Sequence, residues 1–158
     1  MIKNKLLNLF TIILIAFLLT NCGFKIKNNS INFKLTEIIT EGDRKINFTI
    51  KNSLLNNSNN VSVIQKKIIL NTTKKKSIAE KNIQNEITKY KIKINSKITL
   101  IDLTNEDTEN FSITKDGLYS VGDTYSVSLN NEKKLINLLV ISLKEEILEK
   151  LAEVSNDI

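Results

Sequence analysis

Cys22 is the single cysteine of the chain, and it directly follows an apolar run in the stretch "FLLTNCGF", residues 17–24. A thiol can serve as a nucleophile, a metal ligand, a disulfide partner or an acyl acceptor. One cysteine excludes an intrachain disulfide framework, and the absence of histidine removes most zinc and iron sites. The four glycines are scattered, so no Gly-rich phosphate loop is present. Two carboxylate groups remain: Glu106, Asp107 and Glu109, and Glu145, Glu146 and Glu149. The first group falls in a turn, and the second on the polar side of a helix with Glu146 and Lys150 spaced as an i, i+4 pair. Both read as solvated surface. The expectation is a protein with no catalytic residue, no metal and no cofactor beyond acyl groups carried on Cys22. The other candidate chemistry is electrostatic. Lys89, Lys91, Lys93 and Lys97 alternate with apolar residues in "KYKIKINSKITL", residues 89–100. On a strand they would project from one face at intervals of about 6.6–7 Å. Such a row can meet phosphates, or it can be a solvated face in a Lys-rich chain.

The elements that must position these residues are legible as periodicities. Ile31, Phe33 and Leu35 alternate with polar residues, as in a half-buried strand. Gly42-Asp43 then breaks the chain, with Asp43 a helix cap and Ile46, Ile50 and Leu54 at helical spacing. After a polar loop at residues 56–60, Val61 to Lys81 reads as extended, bent or split where Lys74-Lys75-Lys76 interrupts the pattern. Tyr90, Ile92, Ile94, Ile98 and Leu100 form the buried face of the next strand. Phe111, Ile113 and Leu118 or Tyr119 mark another, with Gly117 a candidate bulge. Ile136, Val140, Leu143, Ile147, Leu151 and Val154 step by three or four, as in a long amphipathic helix capped by Asp123 or Thr124. The expected fold is α+β: a two-layer sandwich, β-α-β-β-β-α, with two helices packed on one face of a four-stranded, mostly antiparallel sheet.

The first 21 residues have a different character. Lys3 and Lys5 precede an almost unbroken apolar run from Leu6 to Leu19. A basic start and a short hydrophobic region are the marks of a secretory signal, and the run is short for a membrane span, which needs about 20 residues. Leu19-Thr20-Asn21-Cys22 resembles a bacterial lipobox, although Asn21 stands where a small residue is usual. The expected organisation is a cleaved signal peptide, 1–21, and one domain, 22–158, lipidated at Cys22. Acyl chains in thioether and amide linkage supply the two anchoring signals that stable attachment needs. Without Lys3 and Lys5 the 23 basic residues fall to 21 against 17 acidic ones, a net of +4. That charge is modest for a nucleic-acid binder, and export argues against such a partner.

Several stretches together resemble LptE, the lipopolysaccharide-assembly lipoprotein family. They are Cys22-Gly23-Phe24, "EITKYKIKINSKITLID" (Glu86 to Asp102) and "LYSVGDTYSVSLNNEKK" (Leu118 to Lys134), in which Tyr119 and Tyr125 fall in the expected places. The resemblance implies two helices on a four-stranded sheet, outer-membrane attachment, and a seat inside the lumen of an LptD-type β-barrel. There such a protein plugs the barrel, assists its assembly and binds lipopolysaccharide, facing the periplasm. It also implies a basic contact near Lys81, whereas Leu129 stands where the family has a second basic residue. The alternative is a generic periplasm-facing lipoprotein that binds another anionic ligand or an envelope protein.

Overall fold

A computed structural model of the chain describes residues 31–156. Cys22 and the expected signal peptide, 1–21, lie outside the described residues. The elements run β1 (Lys34–Gly42), α1 (Arg44–Asn57), β2 (Gln65–Lys81), β3 (Ile87–Asp102), β4 (Thr108–Ser120) and α2 (Tyr125–Asn156). The sheet order is β1-β2-β3-β4. β1 lies parallel to β2, with α1 forming the connection between them, and the other two pairings are antiparallel. The expected two-layer α+β sandwich is therefore the observed fold.

Its core is the alternating set read from the strands, closed by the two helix stripes. Ile68 and Leu70 of β2 meet Ile92, Ile94, Ile98 and Leu100 of β3, all at most 1% exposed. Ile46, Ile50 and Leu54 from α1 and Leu143, Ile147 and Leu151 from α2 cover them. Burying one such side chain contributes about 1.5–3 kcal/mol relative to exposure. Asp43 caps α1 as expected, its carboxylate accepting from Ile46 N–H at 3.1 Å. Thr124 caps α2, its hydroxyl accepting from Val127 N–H at 3.3 Å.

Four local expectations are corrected. Ile31 makes only an isolated bridge to Ser58, and β1 proper runs from Lys34 to Gly42 with a register shift between Leu35 and Glu37. Val61 and Val63 are not strand but loop, each 90% exposed, and β2 begins at Gln65. The Lys74–Lys76 run does not split β2, which is one strand whose register with β3 is unbroken from Lys66 to Ile78. The run fits there because β1 stops at Gly42, opposite Thr72, so Thr73–Lys81 is an edge among the described residues. Lysines on an edge keep foreign strands from pairing with it. Gly117 is not a bulge, since it pairs in register with Ile92. A Cβ there would lie 2.8 Å from Leu135 of α2, so the glycine admits the helix instead.

Candidate functional site

Both helices occupy one face of the sheet, and the pleat sends every second side chain to the other. That open face carries Lys67, Ile69, Asn71, Thr73 and Lys75 from β2 and Lys89, Lys91, Lys93, Asn95, Lys97 and Thr99 from β3. Ser112, Thr114 and Asp116 from β4 complete it. The strand period thus brings the four predicted lysines of β3 onto one surface. Register decides which of them stay available. Lys89 is paired with Glu80 at 2.7 Å and Lys91 with Asp116 at 2.8 Å. The Lys91 ammonium holds the Asp116 carboxyl below its ordinary value, with a smaller contribution from Lys93. Lys67 is likewise matched, to Glu37 at 2.8 Å.

Lys93 and Lys97 have no ion pair among the described residues, and neither has Lys75. Lys75 stands directly across from Lys93 in the β2–β3 register. Nothing in the sequence pattern marked Lys75, because its role depends on a cross-strand partner 18 positions away. Around these cations the surface is hydroxyl and amide. Asn95 donates to Ser112 Oγ at 3.0 Å and to Thr114 Oγ1 at 2.7 Å, and Thr99 donates to Asn110 at 2.6 Å. Lys81 is not brought into this group. It lies at the far end of β2, where its ammonium donates to Asn85 across the hairpin turn at 2.8 Å.

A second constellation, on the helix side, escaped sequence reasoning. Lys76 Nζ lies 4.3 Å from the Tyr90 ring centroid and 5.3 Å from that of Tyr119, and the two rings stack at 5.6 Å. The same ammonium contacts Glu132 of α2 at 2.6 Å, and Tyr119 donates its hydroxyl to Glu132 at 2.8 Å. Lys76 holds the Glu132 carboxyl below its ordinary range, while burial pushes the Tyr119 hydroxyl up and keeps it protonated. This group ties the start of α2 to the outer part of the sheet. The signal that could have found it is the i, i+2 agreement of Lys76 with the β2 face of Ile68 and Leu70.

The acidic groups behave as surface. Glu146 pairs with Lys115 of β4 and not with Lys150, whose partner is Glu153 at 2.8 Å. The i, i+4 expectation fails because β4 presents a cation to that helix face. Among the described residues no group of three or more His, Cys, Asp or Glu side chains could hold a metal ion.

A four-stranded mixed sheet covered on one face by a short and a long helix, its other face polar and basic, is the class of protein these features define. Several solved structures share the fold, among them two lipoproteins. One is the rare lipoprotein B from Shewanella oneidensis, at a TM-score of 0.60 and 14% identity, covering 77% of this chain and 98% of that one. The other is the uncharacterized lipoprotein B from Nitrosomonas europaea, at a TM-score of 0.55 and 15% identity, covering 84% of this chain and 90% of that one. At such identities the likeness is one of fold. No family model matches the chain, and neither does any curated protein.

Proposed function

We propose that the chain is an outer-membrane lipoprotein of the lipopolysaccharide-assembly kind, anchored through Cys22 and held in the lumen of an LptD-type barrel. It helps that barrel assemble, plugs it, and contacts lipopolysaccharide through the open lysine face, acting by shape and charge without a bond-making step. The observation that carries this reading is the fold itself, two helices on one face of a four-stranded sheet. That arrangement is what the LptE resemblance implies, and two lipoproteins have it. The leader ending at Cys22 supports the anchor, and the polar open face suits a hydrated anionic glycolipid better than an apolar ligand.

Affinity capture of the full chain from detergent-solubilised outer membranes tests the reading. The expected result is co-purification of one large β-barrel protein in near-equal amount, and recovery of the chain alone would overturn it. Labelling with radioactive palmitate tests the anchor separately: the wild-type chain takes the label and Cys22→Ser does not. A label that persists in the serine variant removes the lipobox assignment.

A further inference from the structure

Lys75 and Lys93 are like charges directly opposite each other on neighbouring strands, an arrangement that destabilises a sheet. Among the described residues neither makes an ion pair of its own. On one side of Lys75 no strand follows, because β1 ends opposite Thr72. On the far side of Lys93 the cross-strand residue is Asp116, whose carboxylate is already engaged by Lys91 at 2.8 Å. Toward the hairpin Lys89 and Lys91 are paired, and Lys97, which has no ion pair among the described residues, stands across from Asn71 and not from a second cation. Thr73, Lys75, Lys93 and Asn95 enclose a depression of about 230 Å³ on the open face. The Thr73 hydroxyl in its lining can donate to an oxyanion, whereas both N–H groups of Asn95 are already given to Ser112 and Thr114.

We infer that Lys75 and Lys93, with the Thr73 hydroxyl beside them, form a subsite for a phosphate monoester on a lipid headgroup. A phosphomonoester carries a charge of about −1.5 to −2 near neutrality and three strong acceptor oxygens, so one group satisfies both ammonium ions at once. A carboxylate or a phosphodiester, with a single charge, leaves one lysine uncompensated. The choice of a lipid as the carrier rests on the lipoprotein reading above; the dianion chemistry rests on the two lysines alone.

The test uses the full chain in nonionic detergent micelles doped with phosphatidic acid, a phosphomonoester lipid, or with phosphatidylglycerol, a phosphodiester. Binding is followed by the backbone amide resonances of residues 73–75 and 93–95. Saturable binding to phosphatidic acid is expected, at least fivefold tighter than to phosphatidylglycerol. The pair Lys75→Gln/Lys93→Gln should weaken it tenfold or more. The same charge removed from the helix layer, Lys133→Gln/Lys134→Gln, should change it less than twofold. Circular dichroism confirms that the variants fold, and relief of the like-charge contact should leave their melting temperature unreduced.

With a headgroup pKa near 6, binding should be roughly threefold tighter at pH 7.5 than at pH 5.5. The chain has no histidine to titrate in that range, and Asp116, the carboxylate facing the pair, stays ionised throughout. Equal loss in both double variants, or no loss in Lys75→Gln/Lys93→Gln, overturns the subsite. Equal affinity for the diester overturns the dianion, and equal affinity for inorganic phosphate in lipid-free micelles overturns the headgroup. Failure to capture a barrel removes the proposed function while leaving these measurements standing.

Discussion

At the scale of single residues, Gly42 shows how one backbone position sets up two elements. Its φ of +87° lies in the left-handed region, and a Cβ there would drive into the Thr72 carbonyl oxygen. That turn lets Asp43 donate its N–H to Thr72 at 2.8 Å while its side chain caps α1 and meets Lys74 at 3.2 Å. Gly42→Ala combines a strained φ with an overpacked contact. It should lower stability by about 2–4 kcal/mol in urea unfolding, and a loss under 1 kcal/mol would contradict the close approach. Lys93 makes the complementary case. Its face was legible from period two alone, yet its difference from Lys91 was not, because Asp116 sits 23 residues away and only register brings it to one lysine rather than the other. Lys81 was placed near a ligand by resemblance, and the structure ties its ammonium to the turn residue Asn85.

At the scale of elements, the joint between α2 and the sheet rests on Lys76, Glu132 and Tyr119. Glu132 is partly buried and its carboxyl is held below the ordinary value of 4.5, chiefly by the hydrogen bond from Lys76. A group whose folded pKa is lowered contributes stability that is full above its unfolded value and is lost as pH falls through the folded one. The joint should therefore weaken only below about pH 4.5. Because Lys76 is 41% exposed, solvent screens the pair, and Glu132→Gln should cost about 0.5–1.5 kcal/mol at neutral pH. The variant should also lose part of the acid sensitivity of unfolding below about pH 4.5, measured by urea titration at each pH. An unchanged acid limb in Glu132→Gln would mean that another carboxylate carries it. Asp102, held low chiefly by the Thr104 N–H, is the next candidate. The helix α2 was legible as a stripe, but its anchoring was not, because the Lys74–Lys76 run reads as an interruption until the face of each lysine is known.

At the scale of the whole molecule, stability is graded along the sheet. Between Gln65 and Thr72, β2 has a strand on each side, and its inward residues Ile68, Leu70 and Thr72 are fully buried. Beyond Thr72 it has β3 alone, and every residue from Thr73 to Lys81 is exposed. Amide exchange should follow this gradient. Outward-facing amides between Thr73 and Lys81 are expected to exchange at least a hundredfold faster than those of Ile68 and Leu70, since they open without global unfolding. Uniform protection along β2 would show that another surface covers the edge, such as a bound partner. The sequence by itself determined the element order, the buried face of β3, the Asp43 cap and the long stripe of α2. These depend on local periodicity, which 3.6-residue and two-residue repeats display without any partner. The contiguous apolar run before Cys22 gives the expectation of a leader in the same local way. Only the tertiary structure decided that β1 runs parallel to β2, that Val61 and Val63 leave the sheet, and that Lys89 and Lys91 are paired while Lys75 and Lys93 face each other with no ion pair of their own among the described residues. Those outcomes depend on which residues lie across a strand boundary, and long-range register is a property of the packed chain, not of any window along it.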